Sequence, residues 1–135
     1  DHAVCDDKPE MITEAIHKML DKGMDMIICT GGMSVDPDDR TPLAIKNVAE
    51  DIVTYGAPVL PGAMFMLAYY NGDIPVMGLP GCVMYAKRTI FDLVLPRVLC
   101  NEKLKAGDLS RLGQGGLCLS CPTCTFPNCG FGKGA

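Results

Sequence analysis

The residues best suited to chemistry lie in a loop that begins with Thr30-Gly31-Gly32, directly after a predicted strand. Glycines let backbone N–H groups approach a phosphate, and the dipole of the helix expected after the loop favours negative charge. In open α/β sheets, ligands bind at the carboxyl ends of the strands, which is where this loop must lie. The pattern therefore predicts an anion-binding loop at the edge of a sheet.

The same loop carries three carboxylates, Asp36, Asp38 and Asp39. On their own they would repel a phosphate group. A hard divalent cation such as Mg²⁺ removes this conflict by bridging carboxylate and phosphate oxygens. The loop therefore predicts a phosphorylated ligand that is held with the help of Mg²⁺. The alternative interpretation is a solvated turn whose acidic residues suit the dipole of the following helix.

A second group of candidate ligands consists of four cysteines near the carboxyl end, separated by two, two and four residues: Cys118, Cys121, Cys124 and Cys129. Their spacing resembles the ferredoxin-type run that holds an iron–sulfur cluster. Four cysteines also satisfy tetrahedral zinc, and a flexible tail with redox-labile thiols is the third interpretation left open. A metal centre would give this segment, which has few apolar residues, a reason to fold.

Length and composition limit the classes of function. The 135 residues are 48% hydrophobic and 21% charged, which is enough for one domain with a core and excludes wholesale disorder. The longest apolar runs fall well short of the roughly 18 residues that cross a bilayer. A net charge of −4 and an aromatic content of 6% argue against a nucleic-acid partner. Regular α/β patterning ahead of the clustered cysteines favours a reducing, cytoplasmic compartment.

Hydrophobic periodicity and turn residues predict the elements that position the loop. The predicted helices cover residues 10–22, 41–55 and 83–95. The predicted strands cover residues 24–30, 57–60, 64–70 and 74–79. Asn71-Gly72 is the expected hairpin turn between the last two strands. Thr41 is expected to cap the second helix, and Lys87 and Arg88 are expected on the first turns of the last one. This order predicts an α/β layered domain with a mixed sheet.

The periodicity fades beyond about residue 101, and residues 113–116, Gly-Gln-Gly-Gly, look like a linker. We therefore divide the chain into an α/β domain over residues 1–112 and an irregular Gly- and Cys-rich metal-binding tail over residues 113–135.

Three motifs in sequence order resemble those of a known family. The stretch from Thr30 to Pro42 resembles the signature loop of the molybdenum-cofactor biosynthesis domain, which Mog/MoaB-type and MoeA-type proteins share. In that family Thr/Ser-Gly-Gly is followed by a small residue, Ser34 here, and by an aspartate, Asp39 here. Gly78-Leu79-Pro80-Gly81 is similar to the family's Gly-Leu-Pro-Gly-Asn-Pro turn, and Leu60-Pro61-Gly62 is similar to its Pro-Gly segment.

The resemblance spans about residues 10–100 and implies a three-layer α/β/α sandwich with a mixed, mostly parallel sheet. It implies molybdopterin as the ligand and an enzyme of the transferase class. Mog-type proteins adenylylate the molybdopterin phosphate with Mg-ATP, and MoeA-type proteins insert molybdate and release AMP, so nucleotide or molybdate would be the second small-molecule partner. Family members assemble as dimers or trimers, which implies a homo-oligomer here, and molybdoenzymes would be protein partners if the cysteine centre serves for docking.

The same resemblance assigns roles to individual residues. Asp39 takes the position of the catalytic aspartate and would hold Mg²⁺, and Asp36 or Asp38 could share the ion. The implied cofactor-binding positions are Thr30, Gly31, Gly32, Ser34, Pro80 and Gly81.

Departures from the family pattern keep two alternatives open. Cys82-Val83 replaces the Asn-Pro of the family turn, and no acidic residue follows Pro61-Gly62. These changes leave open a non-catalytic molybdopterin-binding module whose cysteine metal centre docks a molybdoenzyme or senses redox state. The pair Asp38-Asp39 leaves open a CinA-like nucleotide hydrolase. The family's first strand would precede Asp1, so we expect an N-terminally truncated domain.

Overall fold

The computed structural model describes residues 1–134, so Ala135, the last residue of the predicted tail, lies outside the described residues. The α-helices are α1 (Pro9–Asp21), α2 (Thr41–Val48), α3 (Ile90–Leu99) and α4 (Ala106–Arg111). The strands are β1 (Ile27–Thr30), β2 (Asp51–Tyr55), β3 (Met66–Tyr70) and β4 (Ile74–Leu79). Two 3₁₀ turns cover Gly81–Met84 and Leu112–Gly115. Among the described residues, no helix is long and apolar enough to span a bilayer.

The four strands form one mixed sheet in the order β1-β4-β3-β2. The predicted hairpin is confirmed, because β3 and β4 pair antiparallel across Asn71-Gly72. The expectation of a mostly parallel sheet is wrong, since only β1 and β4 pair in parallel and β2 pairs antiparallel with β3. The physical reason is chain length: the connections from β2 to β3 and from β3 to β4 are too short for the crossover that parallel pairing requires.

Helices cover both faces of the sheet, which confirms the three-layer α/β/α sandwich. Successive residues of β3 alternate between the layers, as the pleat of a strand requires. Met66 and Ala68 pack in the same cluster as the buried residues of α1 and α2. Leu67 and Tyr69 pack with the buried residues of α3 and α4. The Tyr69 hydroxyl accepts a hydrogen bond of 3.0 Å from the buried backbone N–H of Leu104.

Two predicted elements in the middle of the chain are wrong. The helix predicted over residues 41–55 ends at Val48, and its second half is the strand β2. The β-branched and aromatic residues of Asp51–Tyr55 favour a pleated surface, and pairing with β3 outweighs the helical spacing of the apolar side chains. The strand predicted over residues 57–60 is reduced to a single bridge between Leu60 and Leu117, because proline at positions 58 and 61 interrupts a ladder.

The last long helix begins later than predicted. Thr89 and Asp92 form a capping box, in which Phe91 N–H donates to Thr89 Oγ1 and Thr89 N–H donates to the Asp92 carboxylate. These bonds satisfy the first amides of α3 and fix its start at Ile90. Lys87 and Arg88 therefore lie in the preceding loop and not on the first turns of the helix. The helix also continues past Pro96 to Leu99, although a proline inside a helix removes one backbone donor and crowds the carbonyl four residues earlier.

The carboxyl-terminal segment packs on the domain. Phe131 is only 4% exposed and belongs to the buried cluster that contains Ile90 and Val94 of α3. Residues 113–116 form a packed turn and not the predicted linker: a Cβ atom added to Gly116 would lie 2.2 Å from the Pro58 carbonyl oxygen. The Leu60 N–H donates to the Gly116 carbonyl at 2.7 Å. The division of the chain at residue 112 stays a prediction.

Candidate functional site

The parallel pair β1–β4 brings the two candidate ligand-binding segments to one edge of the sheet. Thr30, the last residue of β1, lies opposite Leu79, the last residue of β4. The loop that starts at Gly31 and the turn that starts at Pro80 therefore leave the sheet side by side, at the carboxyl ends of both strands. Pro80 is buried and Gly81 is exposed. This is the location that the sequence predicts for an anion-binding loop.

The first part of the loop is held close to the domain. Gly31 and Gly32 have φ angles of +85° and +59°, a region that glycine adopts without strain. A Cβ atom on Gly32 would lie 2.8 Å from Thr41 Oγ1, so the close approach also requires glycine. Thr41 does not cap α2, because its hydroxyl donates to the Gly31 carbonyl at 2.8 Å and the cap position is Arg40. The N–H of Gly32 donates to no group of the described chain.

A buried residue that no sequence pattern reveals supports this loop from the side of the sheet. Met33 is 1% exposed, and its thioether lies over Gly78 of β4. A Cβ atom on Gly78 would approach the Met33 Cε to 2.6 Å, so the absence of a side chain at Gly78 makes room for Met33. A single apolar residue between Gly-Gly and the acidic loop gives no periodic signal that could reveal its burial.

Ser34 and Asp39, which the family resemblance links, are bonded to each other. The Asp39 Oδ2 atom accepts hydrogen bonds from Ser34 N–H at 2.5 Å and from Ser34 Oγ at 2.6 Å. No hydrogen bond of the described residues uses Asp39 Oδ1. The loop therefore closes on itself and leaves one carboxylate oxygen of Asp39 free to bind a cation.

The other two aspartates face elsewhere. Asp36 accepts a hydrogen bond of 2.9 Å from the Asp38 N–H, which closes a local turn. The Asp38 side chain is 91% exposed and lies 3.7 Å from the Arg40 guanidinium. Across residues 1–134, no three histidine, cysteine or acidic side chains converge as the ligands of a single metal ion. Among the described residues, Asp39 thus keeps one carboxylate oxygen without a hydrogen-bond partner, and neither Asp36 nor Asp38 is brought to the same point.

The turn after β4 is followed by two cations that face the tail. Lys87 Nζ donates to the Pro122 carbonyl at 3.2 Å, and the Arg88 guanidinium carbon lies 5.1 Å from the centre of the Phe126 ring. Arg88 Nη1 also lies 3.4 Å from the Asp92 carboxylate. These cations therefore connect the turn to the tail.

All four tail cysteines line one cavity of about 110 Å³, together with Lys87 and Arg88. All four are free thiols: Cys118 and Cys129 are half-buried, and Cys121 and Cys124 are exposed. The sequence predicts that they share a centre, and the fold brings them to one cavity, although they do not converge on a single-ion site.

A larger cavity of about 530 Å³, which the sequence did not indicate, lies between residues 1–7 and the outer edge of β1. Cys5 and Cys29 both line it. Burial raises the pKa of the Cys29 thiol from its ordinary value of 9.0 to about 11, and the nearby Cys5 thiol contributes to this shift.

The raised pKa of Cys29 makes stability depend on pH. The folded state keeps the thiol proton up to about pH 11, whereas the unfolded chain loses it near pH 9.0. The contribution is therefore complete below pH 9.0 and is lost as the pH rises through the folded pKa. We expect the unfolding free energy to fall by about 2–3 kcal/mol more in the wild-type protein than in Cys29→Ala over this range. Urea denaturation measures this difference, and parallel pH profiles would contradict the assignment.

One protein family matches most of the chain. The family described as "Probable molybdopterin binding domain" matches residues 1–99. The chain belongs to this family. The match confirms the resemblance carried by the Gly-Gly loop and the Gly-Leu-Pro-Gly turn, and it places the protein among the domains of molybdenum-cofactor biosynthesis. The cysteine tail lies outside the matched residues. No curated protein matches the chain at a significant level.

Solved structures agree with the family. The molybdopterin biosynthesis enzyme MoaB from Thermus thermophilus has a TM-score of 0.58 and 26% identity, over 75% of this chain and 70% of that protein. The molybdopterin biosynthesis protein MoeA from Pyrococcus horikoshii has a TM-score of 0.52 and 28% identity, over 72% of this chain but only 24% of its own length. MogA, at 20% identity and a TM-score of 0.50, over 69% of each chain, shares the fold.

Proposed function

We propose that this molybdopterin-binding domain holds the pterin phosphate at the carboxyl edge of β1 and β4 and transfers a nucleotidyl or molybdate group there with Mg²⁺. The observation that carries the proposal is the register of the parallel pair, which sets Thr30 beside Leu79 and thus joins the two family motifs at one edge. Thr30, Gly31, Gly32, Ser34, Pro80 and Gly81 are the proposed binding positions.

The loop supplies donors to an anion through its backbone. The free N–H of Gly32 lies beside the start of α2, where the helix dipole favours a negative group. Ser34 is exposed and its hydroxyl donates to Asp39, so a phosphate that displaces this hydrogen bond would gain a hydroxyl donor and leave the carboxylate to a cation. The role of these residues is to bind and orient the phosphate, which is the main contribution a protein makes to phosphoryl-type chemistry.

Asp39 is the proposed Mg²⁺ ligand because its Oδ1 atom has no hydrogen-bond partner within residues 1–134 and its Oδ2 atom is fixed by Ser34. When bound, Mg²⁺ would neutralise charge on phosphate oxygens. In nucleotidyl transfer, a molybdopterin phosphate oxygen bonds to the α-phosphorus of ATP and pyrophosphate leaves. In molybdate transfer, molybdenum bonds to two thiols of the adenylylated pterin and one molybdate oxygen leaves with their protons as water. A second water molecule cleaves the pyrophosphate bond, so that AMP leaves.

The test is to incubate the full chain with molybdopterin, ATP and Mg²⁺, and separately with adenylylated molybdopterin and molybdate. We expect saturable pterin binding, and Mg²⁺-dependent release of pyrophosphate in the first reaction or of AMP in the second. Absence of pterin binding would contradict the proposed function.

A second candidate is a non-catalytic molybdopterin-binding module with a thiolate metal centre. It is favoured by Cys82-Val83 in the Gly81–Met84 turn, where the family pattern has Asn-Pro, and by the bond from Lys87 to the tail. Tight pterin binding with no pyrophosphate or AMP released would favour this module. A CinA-like nucleotide hydrolase has less support, because Asp38 pairs with Arg40 and does not join Asp39.

A further inference from the structure

The cavity lined by the tail cysteines has features that the pterin site does not use. Its walls come from Lys87, Arg88 and residues of the segment 117–131. Cys118 and Cys129 pack against the same core cluster that holds Phe131, so two of its four thiols are fixed by the fold. Cys121 and Cys124 are exposed on an irregular turn, where a thiol can rotate toward the cavity without disturbing packed side chains.

The size of this cavity and the placement of its thiols favour a centre of several atoms. Its volume of about 110 Å³ exceeds the roughly 30 Å³ that a single water molecule occupies, so it has room for more than one ion. A lone zinc ion needs four sulfurs at about 2.3 Å from one point, and the described thiols do not converge on such a point. An iron–sulfur core of several atoms keeps its cysteine ligands further apart.

We propose that Cys118, Cys121, Cys124 and Cys129 bind a [4Fe–4S] cluster in this cavity, with Lys87 and Arg88 as its compensating cations. Each thiol loses its proton as its sulfur bonds to one iron, and two ferrous ions, two ferric ions and four inorganic sulfides come from outside the chain. The proposal concerns the tail and does not depend on what the pterin site does.

Charge supports this assignment. Four thiolates around a core with two positive charges leave a net charge of minus two, and burying that charge without partners is costly. Lys87 and Arg88 line the same cavity and supply two positive charges. The Arg88 Nε atom is buried and has no hydrogen-bond partner in the described chain, so it is available to donate to a thiolate or sulfide.

The two cations are also fixed in place by residues that lie between the cysteines. Lys87 Nζ donates to the carbonyl of Pro122, which follows Cys121. Arg88 stacks on Phe126, whose ring packs edge-on against the buried Phe131 at a centroid distance of 6.2 Å. Because Asp92 contacts only Arg88 Nη1, it leaves the Nε side of the guanidinium free. Such donors near cluster sulfurs are among the factors that set a reduction potential.

The test is anaerobic reconstitution of the full chain with ferric iron, sulfide and a thiol reductant, which reduces half of the iron and so supplies two ferrous and two ferric ions per cluster. We expect about four iron and four sulfide per chain and a broad visible charge-transfer absorption that bleaches on reduction. A parallel incubation with Zn²⁺ alone separates the two metals. Binding of one zinc per chain without cluster assembly would overturn the proposal, and so would a chain that takes up neither metal.

Variants make the test specific to these residues. The double variant Cys121→Ser/Cys124→Ser is expected to lose the cluster and to keep its far-ultraviolet circular dichroism. The control variant Cys5→Ser/Cys100→Ser removes two exposed thiols outside the cavity and is expected to keep the cluster. Cluster assembly in the Cys121/Cys124 variant at the wild-type level would contradict the ligand assignment.

Arg88→Gln tests the role of the cation. Removing a nearby positive charge disfavours the added electron, so we expect the cluster to assemble with a more negative reduction potential than in the wild-type protein. Lys46→Gln is the matched control, because it removes the same charge from an exposed position on α2, across the sheet. Equal shifts in the two variants, or no shift in either, would remove Arg88 from the proposal.

Discussion

Replacing Asp39 with alanine is expected to lower Mg²⁺-dependent turnover by about 100-fold or more, the usual scale for losing one electrostatic contact in a transition state. The carboxylate has two functions in the loop: Oδ2 holds Ser34, and Oδ1 remains free for a cation. The loop is exposed and α2 begins after it, so the fold should lose only about 1–2 kcal/mol. Steady-state assays of pyrophosphate or AMP release, alongside thermal unfolding, measure both effects.

Two further variants separate direct from indirect effects of Asp39. Ser34→Ala removes the hydroxyl donor and keeps the carboxylate, so a loss smaller than that of Asp39→Ala is expected if the carboxylate itself binds Mg²⁺. Asp73→Ala removes an exposed carboxylate from the β3–β4 hairpin, at the opposite edge of the sheet, and should leave turnover unchanged. Full activity in Asp39→Ala would exclude Asp39 from the mechanism.

Replacing Phe131 with alanine is expected to destabilise the whole domain by about 3–5 kcal/mol, although Phe131 lies only four residues from the end of the chain. The ring is buried, packs against Phe126 and shares the core cluster under α3 and α4. Removing it leaves a cavity between the tail and α3, so the loss should appear in global unfolding. Urea denaturation followed by far-ultraviolet circular dichroism measures the change.

The matched control for Phe131 is Leu119→Ala, because Leu119 is apolar, lies in the same tail and is 77% exposed. Its replacement should change the unfolding free energy by no more than about 0.5 kcal/mol. If Phe131→Ala altered only the exposure of the tail and left the global transition unchanged, the tail would be a separate unit and the predicted division at residue 112 would gain support.

Local patterns account for the parts of the fold that the sequence predicts. The apolar face of α1, the Asn71-Gly72 hairpin and the Gly-Gly loop are each encoded by a few neighbouring residues, and each lies where predicted. The family resemblance names both Gly31 and Pro80-Gly81 as binding positions, and the parallel pairing of β1 with β4 brings them to the same edge.

Contacts between residues far apart in the chain determine the elements and positions that local sequence patterns do not predict. The apolar residues of 41–55 fit a helix by spacing, and only the pairing of Asp51–Tyr55 with β3 turns their second half into a strand. Lys87 closely follows the proposed binding residues Pro80-Gly81 in sequence, but its hydrogen-bond acceptor is the carbonyl of Pro122, 35 residues away. The burial of Phe131 likewise depends on α3, which no local pattern in the tail reveals.

The thioether of Met33 over Gly78 has a consequence for ligand recognition. The buried Met33 side chain, which follows Gly32, packs its sulfur atom against the backbone of Gly78 in β4. This contact fixes the position of the Gly-Gly loop relative to the sheet from the interior. A side chain at position 78 would displace Met33, and we expect the neighbouring residues Gly32 and Ser34 to move with it, although no polar group of the loop is replaced. If the loop binds the proposed phosphate, substitutions in the hydrophobic interior would change its affinity, so a search for specificity variants need not be confined to residues that touch the ligand.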